Sequence, residues 1–141
     1  MCDCTRRSVL VAMTAAVAGF APRALATPTD AQRAFITAAF AAKDEAVRAG
    51  DQAYGAVVVQ NDRIVGYGPS RVVTKKDFTA HAEREALRDA QARLQRSDLS
   101  DCVMYSTSRP CGACEQAAAD TRLARMFYGE QATDARPPRR P

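Results

Sequence analysis

Four side chains in this sequence have the types and spacing of a hydrolytic metal site: His81 and Glu83, two apart, and Cys111 and Cys114, three apart. His81 is the only histidine of the chain. One imidazole and two thiolates make a three-ligand set for zinc, and they leave the fourth tetrahedral position to water, as catalysis requires and a closed structural site does not allow. Cys111 and Cys114 at a helix start would project to the same side, where the positive end of the helix dipole favours thiolates. Glu83, two residues beyond His81, points elsewhere than the ligand and so belongs beside the metal water, not on the metal. Each half has a plainer reading. A single histidine at a helix start is often a cap or a surface residue, and C-x-x-C serves as a redox pair as readily as a metal clasp.

The elements that must position these groups alternate along the chain. Asp30 is the expected N-cap of a helix to about Arg48, with Phe35, Ala38, Ala39, Ala42 and Ala46 near a 3.6-residue period and Gly50 as the stop. Tyr54–Gln60 and Arg63–Gly68 read as strands of a hairpin turning at Asn61-Asp62, followed by a polar loop, 70–78. Thr79 is the expected cap of a second helix to about Gln95, with Ala82, Ala86, Leu87, Ala90 and Leu94 as its buried stripe. Cys102–Ser106 reads as a strand, Cys111–Leu123 as a third helix and Ala124–Tyr128 as a fourth strand. This order implies an α/β fold with a mixed sheet: an antiparallel hairpin at the edge, parallel pairing in the second half, and helices on the sheet faces.

With 141 residues there is room for one domain of ordinary size. Apolar residues at 47% and charged residues at 26% suit a chain that buries a core. Its first 26 residues read as an export signal: Arg6-Arg7 ahead of an apolar run from Val9 to Ala21, then Ala24-Leu25-Ala26 as a peptidase site. Thr5-Arg6-Arg7-Ser8-Val9-Leu10 resembles the twin-arginine type, which implies a periplasmic protein with no membrane association after cleavage. The expected mature chain starts at Thr27 and keeps Cys102, Cys111 and Cys114, an odd number that builds no disulfide framework. Cys102 reads as a small buried apolar residue and not as a fourth ligand. The body, 27–129, is followed by a polar Pro/Arg tail, 130–141, read as a loose end. Without the leader, 17 basic residues face 15 acidic ones, and three of the basic ones, Arg136, Arg139 and Arg140, fall in that tail. A body so near neutrality lacks the basic footprint of nucleic-acid binding, so no nucleic-acid partner is expected.

Taken together, His81-Ala82-Glu83 and Pro110-Cys111-Gly112-Ala113-Cys114 match the H-x-E and P-C-x-x-C signature of zinc deaminases that act on cytosine or adenine. From about Ala31 to Gly129, YGAVVV, RIVGYG, DFTAHAEREAL, MYSTSRPCGAC and RMFYG follow in order. The chain thus resembles the cytidine and deoxycytidylate deaminase superfamily, in the branch with guanine deaminase, cytosine deaminase and tRNA adenosine deaminase. That resemblance implies a three-layer α/β/α sandwich, zinc held by His81, Cys111 and Cys114, and Glu83 as the proton shuttle. It also implies that the Ala82 backbone contacts a base, and that Ser70 stands where relatives carry a substrate-contacting Asn. Arg109 replaces a Glu that many relatives carry ahead of Pro-Cys. Relatives continue past the fourth strand, so the C-terminus reads as shortened and a pocket wall as missing: either a neighbouring subunit of an expected homodimer supplies it, or the site is open, or the protein is no longer an efficient enzyme. The expected activity is hydrolytic deamination of a guanine- or cytosine-like base or nucleoside. The alternatives are a catalytically silent zinc-binding scaffold, a tRNA adenosine deaminase, and a thiol redox protein using Cys111 and Cys114.

Overall fold

Side-chain alternation along the central strands divides the core and places the helices. The computed structural model describes residues 27–139, in the order α1 (Asp30–Arg48), β1 (Gly55–Gln60), β2 (Arg63–Pro69), α2 (Ala82–Leu94), β3 (Val103–Ser106), α3 (Gly112–Asp120), β4 (Arg125–Tyr128) and β5 (Thr133–Asp134). The export signal assigned to residues 1–26 lies outside the described residues. Ala56 and Val58 of β1, Met104 of β3 and Met126 of β4 pack with Ala82, Ala86 and Ala90 of α2 and Ala118 of α3. Their neighbours Val57, Val59, Tyr105 and Phe127 turn the other way, onto Phe35, Ile36 and Ala39 of α1. Successive strand residues point to opposite faces, so one sheet serves two apolar clusters and the result is a three-layer α/β/α sandwich. Tyr105 anchors the α1 side, stacked on Phe127 with ring centroids 5.1 Å apart and tilted against Phe35 at 5.4 Å.

The strand order is β2-β1-β3-β4-β5. β1 is antiparallel to both β2 and β3, and β3 runs parallel to β4. Both the expected hairpin edge and the expected parallel half are present. The hairpin turns through Asn61 and Asp62 with φ of 48° and 59°, the left-handed pair that two-residue hairpins favour. Residues 130–139 are not wholly a loose tail, because Thr133–Asp134 pairs antiparallel with Phe127–Tyr128 and the Ala135 amide donates to the Met126 carbonyl. A strand of two residues has no period to read.

Two helix starts differ from the expected ones. α1 is capped by Thr29 and not Asp30: the Thr29 hydroxyl accepts from the Gln32 amide, and the Gln32 side chain accepts from the Thr29 amide, a reciprocal capping box. α2 starts at Ala82 with His81 in the N-cap position. Thr79 cannot cap it, because its amide donates to Asp77 and its hydroxyl accepts from Arg88. The third helix is shorter than expected, with Cys111 at its N-cap position and Thr121 at its C-cap.

α2 lies so close on β2 that a Cβ on Gly68 would stand 2.2 Å from the Ala82 carbonyl oxygen, and one on Gly66 2.3 Å from that of Ala86. Only glycine admits that approach. Glu85 on the same helix is buried yet bonded to Lys75 and Arg88, which ties loop 70–78 to α2. No helix of the described residues is long and apolar enough to cross a membrane.

Candidate active site

The first turns of α2 and α3 meet at one end of the sheet. His81 and Cys111 both hold N-cap positions with extended backbone, ψ 151° and 165°, so both side chains emerge just ahead of their helices. The Cys111 carbonyl accepts the amides of Cys114 and Glu115, a tight turn that brings the two sulfurs to 3.5 Å from each other. His81 Nδ1 is 3.7 Å from the Cys111 sulfur and 3.5 Å from that of Cys114.

These spacings can be compared with a tetrahedral ion. Zn–S of ~2.3 Å and Zn–N of ~2.05 Å put two sulfurs ~3.8 Å apart and sulfur and nitrogen ~3.6 Å apart. All three donor atoms lie within 4.8 Å of one another, so the set fits zinc in number, chemistry and spacing. Burial pushes the Cys114 thiol well above its ordinary range, and the facing Glu83 carboxylate and Cys111 push it further. Such a cluster of acidic groups is what a divalent cation would neutralise. Cys102 lies outside it: its sulfur faces Asp101 and Arg96, and burial pushes its thiol up to about 11.

Glu83 is 6% exposed, and its Oε2 lies 3.5 Å from the Cys114 sulfur. Burial raises its carboxyl above the usual carboxylate range, against the opposing pull of its own amide, Cys114 and His81. His81, Glu83 and Cys111 floor a cleft of about 580 Å³ walled by Gln52, Tyr54, Ala82, Ser108 and Arg109. Ala82 is thus part of the cleft wall. Tyr54 is 47% exposed, offering an aromatic ring to whatever enters.

Ser70 is not brought to this cleft. It is 2% exposed, and its hydroxyl donates to Asp51 Oδ1 at 2.9 Å. Asp51 gathers four further donors: the Gln52 amide at 2.8 Å on Oδ1, and on Oδ2 the Val73 amide at 3.0 Å, the Thr74 amide at 2.8 Å and the Thr74 hydroxyl at 2.9 Å. Burial alone would raise this carboxyl; the Thr74, Gln52 and Ser70 donors outweigh it and hold it at about 2. Asp51 thus pins the Gln52–Tyr54 lip of the cleft to the loop after β2. Gln52, Tyr54 and Ser108 gave no functional signal in the sequence: Gln52 and Ser108 fall in loops, and Tyr54, which reads as the first residue of a strand, stands just ahead of β1.

The zinc-binding region of the cytidine and deoxycytidylate deaminases matches residues 29–130. Guanine deaminase of Bacillus subtilis is 39% identical over 82 residues, which are 58% of this chain and 53% of that protein. Its crystal structure superposes with a TM-score of 0.66 at 36% identity, over 68% of this chain and 62% of that one. A tRNA-specific adenosine deaminase of Buchnera aphidicola is 34% identical over 85 residues, 60% of this chain and 56% of that protein. The chain thus spans about half the length of these curated relatives. From the match over residues 29–130 and the shared fold, the chain belongs to the cytidine and deoxycytidylate deaminase family.

Proposed function

We propose that this protein is a zinc-dependent hydrolase that replaces the exocyclic amino group of a guanine- or cytosine-like base or nucleoside by oxygen and releases ammonia. The observation that carries the reading is the convergence of His81, Cys111 and Cys114 beside a buried Glu83 on the floor of an open cleft. Zinc on these donors would supply the Lewis acidity that lowers the pKa of water from 15.7 to about 7. Glu83 takes one proton from the attacking water as the new C–O bond forms at the amino-bearing carbon. It passes that proton to the ring nitrogen, then takes the second proton from the new hydroxyl and gives it to the departing amine as the C–N bond breaks, so one water is consumed and one ammonia leaves. Burial raises this carboxyl from its ordinary value, the direction that suits a group that takes up a proton and gives it back. The Tyr54 ring offers a flat face to a planar base, and the backbone at Ala82 lines the same wall.

Guanine deaminase among the relatives favours a small substrate, as does the near-neutral body. Export through the twin-arginine motif belongs to the same reading, because that route carries folded proteins and lets zinc load before the thiols meet an oxidant. N-terminal sequencing of protein from the periplasmic fraction should begin at Thr27; full-length protein retained in the cytoplasm would end the export part alone.

The test is ammonia release from guanine, cytosine, adenine, cytidine and adenosine by the zinc-loaded chain. Turnover of at least one substrate is expected, and it should vanish in Glu83→Gln while zinc stays at one per chain. A fully metallated chain inert toward all five would shift the reading to a silent zinc-binding scaffold.

A further inference from the structure

Among the described residues, only Cys111 and Cys114 bring two sulfurs into contact, and their surroundings are unequal: Cys111 is exposed and Cys114 is buried. The surface beside Cys111 is open, since a Cβ on Gly112 would meet nothing within 4 Å. The Cys111 carbonyl accepts the Cys114 amide at 2.9 Å. A turn closed in that way keeps its end Cα atoms within about 7 Å, near the range a disulfide spans. The sulfurs, 3.5 Å apart, need to close by only about 1.5 Å to reach a bond of about 2.05 Å. Cys102 has no such neighbour: it is buried, with its sulfur 3.4 Å from Asp101 and 4.0 Å from Arg96.

We propose that Cys111 and Cys114 are a redox switch on the metal centre: a small-molecule disulfide converts them into an intramolecular bridge that excludes zinc. The exposed Cys111 sulfur attacks one sulfur of the reagent, whose S–S bond breaks and releases a first thiol. The Cys114 sulfur then attacks the mixed disulfide on Cys111, and a second thiol leaves as the Cys111–Cys114 bond forms. Two electrons pass from the pair to the reagent. The two protons on the released thiols come from the cysteines of a metal-free chain, or from water where zinc held the sulfurs. Both sulfur donors are lost together, and His81 alone does not retain the ion. Zinc and the bridge are thus alternative staples of one turn, and an oxidising compartment favours the bridge. This rests on the zinc-binding part of the hydrolytic reading and not on deamination.

The full-length chain, reduced and either stripped of metal or loaded with zinc, is exposed to oxidised glutathione. Alkylation after unfolding, then mass spectrometry of protease fragments, locates the product. In the stripped chain the segment with Cys111 and Cys114 should be lighter by two hydrogens, with Cys102 alone of the three alkylated. In the loaded chain the same product should form about tenfold or more slowly, because bound sulfurs attack poorly. Zinc should appear in step with it, one ion per bridge, as read with a chromogenic chelator. Dithiothreitol with added zinc should restore the metal. His81→Ala, with its fold verified by circular dichroism, keeps both sulfurs and should bridge at the stripped rate even with zinc present. A glutathione that stays on Cys111 while Cys114 remains alkylatable, or equal rates with and without zinc, overturns the inference. If the zinc-sensitive bridge forms in a chain inert toward every base, the switch stands and the hydrolytic reading fails. If bases turn over while glutathione leaves zinc and both thiols in place, the switch fails and the hydrolytic reading stands.

Discussion

Replacing Asp51 by Asn tests how the lip of the cleft is held. The carboxylate takes five donors from two oxygens, and its pKa falls from an ordinary 3.8 to about 2. At 1.36 kcal/mol per unit, a shift of that size corresponds to about 2.5 kcal/mol of preference for the ionised form. Asp51 is partly exposed, so solvent screening reduces this to about 1–1.5 kcal/mol. Asn keeps one acceptor and turns an amide nitrogen toward donors that then go unmet, so the expected loss of stability at pH 7 is about 1–2 kcal/mol. The folded pKa lies below the unfolded one, so the stabilisation is complete above pH 3.8 and is lost as pH falls toward 2. Urea unfolding of wild type and Asp51→Asn measures it, because loss of zinc at low pH affects both chains and cancels in their difference. That difference should be flat from pH 8 to pH 5 and shrink below pH 4. With Gln52–Tyr54 released, KM should rise more than kcat falls. A difference below about 0.3 kcal/mol at pH 7, or one undiminished at pH 2.5, would refute the reasoning.

Glu83→Gln should lower ammonia release by about 10²–10⁴-fold without loss of zinc, read by metal analysis beside the kinetic assay. Gly68→Ala brings a methyl group against the Ala82 carbonyl, a backbone atom that cannot yield alone. It should cost about 1–3 kcal/mol in denaturant unfolding and displace the first turn that carries Glu83, so turnover should fall as well. Leu99→Ala, at a fully buried position far from the chemistry in sequence, should cost about 2–5 kcal/mol with kcat unchanged at temperatures where the chain is folded. His81→Ala should abolish stoichiometric zinc binding, an outcome a thiol redox pair would not show.

What the sequence revealed of the fold followed from periodicity. Ala82, Ala86 and Ala90 recur at helical spacing and line one buried face, while Val57 and Val58 are adjacent and both buried because the sheet is covered on two sides. The donor atoms were legible because zinc restricts its ligands to few residue types. Direction was harder than position. Ser70 falls where a substrate-contacting residue was expected, but Asp51, nineteen residues upstream, captures its hydroxyl and turns it inward. Thr79 has the chemistry of a cap, yet Asp77 and Arg88 claim its donor and acceptor first. Both failures are competition between hydrogen-bond partners remote in sequence, which no local pattern records. Tyr54 was assigned to a strand by its apolar character, and the same character now faces the cleft.

α3 is nine residues long and buries only Cys114 and Ala118. A helix of that length has little standing of its own in water. Its attachment to the rest of the molecule depends on Ala118 and on the sulfur that shares a donor cluster with a histidine 33 positions earlier. Stripping the metal should therefore loosen this segment first, so that rapid amide exchange confined to Gly112–Asp120 would signal an empty centre before any enzymatic measurement did.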